Sequence, residues 1–129
     1  MTFETALSTG SQAAPIVLLD DNLFTSARLA SALRASGRQV LVARSIEPLQ
    51  ECDTVLINLG SRTLKGVSLI EPLRARFPQA KVLGFCGHLE TEIRQAARAA
   101  GIHRLLTNES ATALGWLSST QFESQGEDK

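Results

Sequence analysis

Ile16-Val17-Leu18-Leu19-Asp20-Asp21-Asn22 is the stretch that decides the fold of this chain. Four apolar residues run without a break into two carboxylates, and a helical pattern follows at once. A continuous apolar run with polar bounds reads as a strand buried on both faces. Such strands lie in parallel sheets covered by helices. Their carboxyl ends open into the crevice where α/β proteins hold their sites. Asp20 and Asp21 are therefore expected at the mouth of a central strand. Asp21 or Asn22 can also cap the next helix. Capping does not account for two adjacent carboxylates, which repel unless solvated or paired.

Outward from this stretch, strands and helices alternate. Leu23, Ala27, Leu29, Ala30 and Leu33 recur at helical spacing, and Gly37 is placed to stop that helix. A second strand is expected over residues 39–43. Residues 46–53 are too few for a full helix and contain Pro48, so one turn at most is expected there. The third strand covers residues 54–59. A Gly-Ser-Arg-Thr connection leads to a helix marked by Val67, Leu69, Ile70 and Leu73, with Pro72 expected to shift its first turn or kink it. A fourth strand over 81–86, a helix over 90–100 closed by Gly101, a fifth strand over 103–107 and a short helix over 111–118 complete the pattern.

Strand–helix alternation predicts a doubly wound parallel sheet with right-handed crossovers. In the five-stranded version, order 2-1-3-4-5, the switch point lies between strands 1 and 3. That order sets Asp20 and Asp21 beside Asn58. The domain is expected over residues 15–119, with a loose polar lead-in over 1–14 and a frayed tail over 120–129.

Composition narrows the function classes. The chain has 129 residues, enough for one domain with a real core. Lys plus Arg equals Asp plus Glu at 13 each, so the net charge is zero. That argues against non-specific nucleic-acid or membrane-surface binding as the main activity. It also leaves little repulsion between copies, which permits a homodimer. No apolar run approaches the roughly 20 residues needed to cross a bilayer. The first residues lack the basic start and apolar stretch of a signal peptide, so a cytoplasmic location is expected. Cys52 and Cys86 form no metal-like or disulfide spacing and are expected at opposite ends of the sheet.

On these motifs the chain resembles the receiver domain of two-component response regulators, which has the flavodoxin-like order above. The resemblance runs from Pro15 to about Leu117. It implies that the acidic pair Asp20 and Asp21 helps to bind Mg²⁺. It also implies a phosphoacceptor Asp at the end of strand 3, a Ser or Thr ending strand 4 and a Lys ending strand 5. A Gly commonly lies eight residues after the acceptor. In this chain the acceptor position falls on Asn58, and Gly66 lies eight residues on. The Ser/Thr position falls on Cys86, within Phe85-Cys86-Gly87. The Lys position falls on Asn108, within Leu106-Thr107-Asn108-Glu109, with Glu109 where a Pro usually follows. The switch aromatic of strand 5 falls on Leu105, and the second helix is nearly absent.

Chemistry gives those departures their meaning. An amide oxygen is neutral and a poor nucleophile, so Asn58 cannot form an acyl phosphate in the normal way. Mg²⁺ favours carboxylates together with phosphate oxygens, so Asp20 and Asp21 alone make a weak site at best. A phosphoryl dianion wants a cation beside it, and Asn108 supplies none. The expectation is a pseudo-receiver: not an enzyme, without a resident cofactor, acting by protein–protein interaction in a signalling or regulatory system. The resemblance points to the face of the helix before strand 5, strand 5 and the last helix. Arg94, Arg98, Arg104, Leu105 and Trp116 are the candidate residues there, although Trp116 is more readily read as packing the last helix onto the sheet. Two other readings remain open. One is a small ligand-binding protein or enzyme using Asp20, Asp21, Cys86 and His88 in the crevice. The other is a receiver with Asp20 or Asp21 as an unusual phosphoacceptor.

Overall fold

The computed structural model describes residues 15–118, so the expected lead-in and tail lie outside the described residues. Strand β1, Ile16–Leu19, is buried along its whole length. It is hydrogen-bonded in parallel to β2, Val40–Ala43, on one side and to β3, Thr54–Asn58, on the other. Strands β4, Lys81–Cys86, and β5, Arg104–Thr107, continue the sheet beyond β3. The order is therefore β2-β1-β3-β4-β5, as the sequence pattern predicts.

Alternation within β1 explains its unbroken apolar run. Ile16 and Leu18 point into one core with Leu29, Leu33, Phe85 and Trp116. Val17 and Leu19 point into the other with Leu49, Ile57, Ile70 and Leu73. Each such residue contributes roughly 1.5–3 kcal/mol by leaving water.

Helix α1, Leu23–Ala35, starts at Asn22, whose side chain accepts the Thr25 N–H. It closes on Gly37, which has φ +99°. There Arg38 N–H reaches Leu33 O and Gly37 N–H reaches Arg34 O. Helix α3, Thr91–Ala99, closes in the same way on Gly101 at φ +92°. Both are left-handed glycine stops that satisfy the last carbonyls.

The structure differs from the sequence pattern at several places. Leu23 and Ala27 are exposed, while the buried stripe of α1 is Ser26, Leu29, Ala30 and Leu33. Pro72 lies inside α2, Val67–Arg76, rather than near its start. The last helical segment begins earlier than expected, as α4, Asn108–Ala113. Thr107 and Ser110 form a reciprocal capping box that starts it. Leu114, at φ 64°, then ends it, and a 3-10 turn over Gly115–Ser118 follows.

No helix joins β2 to β3. From that connection Leu49 is buried in the core, 1% exposed, and Ile46 and Cys52 pack half-buried against it. The Arg76 guanidinium, from the last turn of α2, holds the segment. It donates to Ile46 O at 2.5 Å, to Glu47 O at 3.3 Å and to Leu49 O.

His103, just before β5, makes the sheet sensitive to acid. Its backbone N–H donates to Val82 O, and its Nδ1 accepts the Val82 N–H at 2.8 Å. An accepting nitrogen carries no proton. Burial, assisted by the charges of Arg74 and Lys81, pushes the imidazole below its ordinary 6.5. The folded state thus binds this proton less readily than the unfolded chain. The stability His103 confers is full above the unfolded value of 6.5 and is lost as pH falls through the lower folded value. His103→Asn keeps an acceptor oxygen but cannot titrate. It is expected to flatten the loss of stability below about pH 6.5, read as urea midpoints across pH. Equal slopes in wild type and variant would rule this out.

Candidate functional site

The carboxyl ends of β1, β3 and β4 and the start of α4 surround a crevice of about 970 Å³. Asp20 follows β1 and lies beneath its wall, 2% exposed. Its Oδ1 accepts the Asn22 N–H and the Asn58 side-chain N–H, each at 2.9 Å. Its Oδ2 is buried with no partner. Burial raises the Asp20 carboxyl above its ordinary value, outweighing those two hydrogen bonds.

Asp21 is held differently. It lines the crevice, and its oxygens accept the Ser61 hydroxyl at 2.6 Å and the Thr63 hydroxyl. These two bonds lower its pKa. Two neighbouring carboxylates have thus been driven in opposite directions by burial and by hydrogen bonding.

Asn58, the last residue of β3, is engaged at both ends. Its Nδ2 donates to Asp20, and its Oδ1 accepts the Gly60 N–H at 3.0 Å. The connection to α2 turns back over this point. Ser61 Oγ also accepts the Leu64 N–H, and Lys65 adopts a left-handed φ of 55°. Gly66 then passes so close to β3 that a Cβ there would lie 2.7 Å from Ile57 Cγ2 and 3.1 Å from Asn58 O.

Cys86 ends β4 and lines the crevice, although the residue is only 1% exposed. Burial pushes the thiol pKa up in spite of Arg94, whose guanidinium donates toward Sγ at 3.8 Å. A protonated buried thiol is an inert one. Asn108 opens α4 at the far wall of the crevice, exposed. His88 is exposed and follows the crevice residue Gly87. The structure therefore brings Asp21, Asn58, Cys86 and Asn108 to one crevice, with Asp20 directly behind.

Three of the five residues expected on the partner face are buried. Arg94 is 7% exposed and donates to Leu106 O, locking α3 to β5. Leu105 is buried in the core beneath α3. Trp116 is buried too, and its Nε1 donates to Ala111 O. These three cannot present themselves to a partner, because each is part of the packing that fixes α3 and α4. Arg98 is exposed and Arg104 half-buried. The most exposed large apolar residues are instead Leu23 and Phe24 on the first turn of α1, and Leu89 before α3.

Sequence reasoning passed over Ser61 and Thr63 as parts of a connecting loop. The signal was available: two hydroxyl residues shortly after the end of a strand that neighbours an acidic pair. It also passed over Arg76, because nothing local shows that the carbonyls of residues 46–49 lack partners.

For a divalent cation, this donor set does not fit. Such ions take oxygen ligands. Here three of the four oxygens of the acidic pair accept protein donors, and the fourth is buried. Asn58 turns an N–H toward Asp20 where a cation would require an oxygen. Among the described residues no three His, Cys, Asp or Glu side chains converge as a metal-holding group. Among them, also, no helix is long and apolar enough to cross a membrane.

No known family model matches the chain, and no curated protein matches it. Solved structures do. A response regulator protein from Burkholderia pseudomallei, solved with a phosphorylated aspartic acid, calcium ion and citrate, is 22% identical at TM-score 0.70, covering 87% of this chain and 69% of its own. A CheY-like protein (tadZ) from Pseudomonas aeruginosa PAO1 is 24% identical at TM-score 0.66, covering 81% of this chain and 95% of its own. The chemotaxis protein CheY4 of Vibrio cholerae is 17% identical at TM-score 0.68, covering 82% and 97%. With the sheet order β2-β1-β3-β4-β5 and the crevice at its switch point, these likenesses show that the chain has the fold of a response-regulator receiver domain.

Proposed function

We propose that this chain is a receiver-like signalling domain without phosphotransfer, acting through phosphorylation-independent contact with another protein of a signalling or regulatory system. The observation that carries this reading is Asn58. It stands at the position where the resemblance requires the acceptor carboxylate, and its oxygen already accepts the Gly60 N–H. A neutral amide so engaged is no nucleophile for a phosphoryl group. The neighbours agree. Asn108 brings no cation to a phosphoryl dianion, and Cys86 brings a buried protonated thiol. No catalytic role and no resident cofactor are assigned to this crevice.

Partner contact has support from the surface. Leu23 and Phe24, adjoining on α1, are 73% and 85% exposed. Adjacent large apolar side chains left in water mark a surface suited to interaction. This first turn of α1 replaces Leu105 and Trp116 as the candidate contact.

The test uses the purified chain with acetyl phosphate and Mg²⁺. No stable gain of about 80 Da, the mass of one phosphoryl group, is expected. Such a gain mapped to this crevice would overturn the reading. Affinity capture then addresses the surface. A partner held by wild type and by Asn58→Ala, but released by Phe24→Ser, is the expected result. A partner released by Asn58→Ala and held by Phe24→Ser would place the contact elsewhere.

A further inference from the structure

The receiver resemblance carries with it a divalent cation between the acidic pair and the end of strand 3, and the residues here do not fit one. What occupies that role is visible in the side chains. Asp20 accepts the Asn58 amide and the Asn22 N–H, and Asp21 accepts the hydroxyls of Ser61 and Thr63. The amide cannot turn over without loss. A flip would set its oxygen against the Asp20 carboxylate and its NH₂ against the Gly60 N–H, two mismatched contacts in place of two good ones.

We infer that Asn58, Ser61 and Thr63 together stand in for the cation: neutral N–H and O–H donors clasp the acidic pair and hold the crevice in one state with neither metal nor phosphate. A metal would attract carboxylates to one point by charge. The clasp achieves the same tie by hydrogen bonds that span 38 to 42 residues of sequence. It joins the end of β1 to the end of β3 and to the connection that follows. Ser61 extends the clasp, because its oxygen also accepts the Leu64 N–H and Leu64 is buried in the core. Hydrogen bonds to ionised acceptors are the strong ones, about twice as strong as neutral pairs. Asp21, held ionised by its two hydroxyl partners, is suited to that role.

The inference rests on the reading of Asn58 given above, yet it can fail separately. It is tested on the full chain by amide spectra and hydrogen exchange, titrated with MgCl₂ or CaCl₂ against NaCl at equal ionic strength. Wild type is expected to show no saturable cation response at Gly60 or Asn22. Ser61→Ala/Thr63→Val should speed exchange of the Leu64 amide by about threefold to tenfold, the loss of one hydrogen bond. Asn58→Asp turns the inward donor into a third carboxylate and should gain a saturable Mg²⁺ response. Saturable binding by wild type would overturn the inference. So would unchanged Leu64 exchange in the hydroxyl variant, or a folded Asn58→Asp as indifferent to Mg²⁺ as wild type. If Asn58→Asp does not fold, the wild-type titration and the hydroxyl variant decide the matter. Wild type that binds Mg²⁺ yet takes no phosphate from acetyl phosphate overturns the clasp alone. Phosphoryl labelling in the crevice overturns the reading beneath it.

Discussion

Leu49→Ala is expected to lower the unfolding free energy by about 3 kcal/mol, within the usual 2–5 for truncating a buried leucine. The expectation comes from what the fold lacks. A receiver sheet is covered by helices on both faces, and here the connection between β2 and β3 has none. Leu49 fills that place in the core with Val17, Leu19, Ile57 and Ile70. The segment has no ladder of its own to resist collapse or opening, so its position depends on Arg76. That guanidinium serves three carbonyls, of Ile46, Glu47 and Leu49, and sits 5.0 Å above the Phe77 ring. A lysine cannot reach three acceptors with one planar fork. Arg76→Lys is therefore expected to retain little of the stability lost in Arg76→Ala. The two sites should also be coupled: once Leu49 is truncated, Arg76→Ala should cost less, by about 0.5–3 kcal/mol. Urea unfolding of the single and double variants measures both quantities. Additive losses would show that Arg76 does not position Leu49.

Gly66→Ala is expected to cost about 1–3 kcal/mol by overpacking, and Gly66→Val more. Conformation is not the cause, since Gly66 has an ordinary φ of −59°. Space is the cause. The new Cβ would meet Ile57 Cγ2 at 2.7 Å, Asn58 O at 3.1 Å and Leu59 Cα at 3.3 Å. Ile57 is β-branched, fully buried and on a strand paired on both sides, so it cannot yield cheaply. The chain must move instead, and it carries the connection that places Ser61 and Thr63 over Asp21. The variant should therefore lose stability and also disturb the Gly60 and Leu64 amides. A stability change under 0.5 kcal/mol, the size of an ordinary surface substitution, would show that α2 can shift away from β3 freely.

The contrast between these two sites shows where sequence is sufficient. Gly66 was marked by its spacing from Asn58, because a fold family repeats its close approaches at fixed offsets. Leu49 and Arg76 carried no such mark. A leucine in a polar connection and an arginine near a helix end are both ordinary, and their pairing spans 27 residues.

The sheet was legible because strand pattern is local. An unbroken run such as Ile16–Leu19 buries alternate residues into two cores, and alternating helical segments then dictate parallel pairing. The place of the crevice followed from strand order alone, which brought Asp20, Asp21 and Asn58 to adjoining strand ends. Tertiary structure decided what that crevice holds. Burial separated Asp20 from Asp21, and the hydroxyls of Ser61 and Thr63, 40 and 42 residues away, closed on Asp21. It also decided that Arg94, Leu105 and Trp116 lie inside while Leu23 and Phe24 lie outside. Periodicity names the face of a helix, but whether a neighbour covers that face depends on contacts between distant parts of the chain.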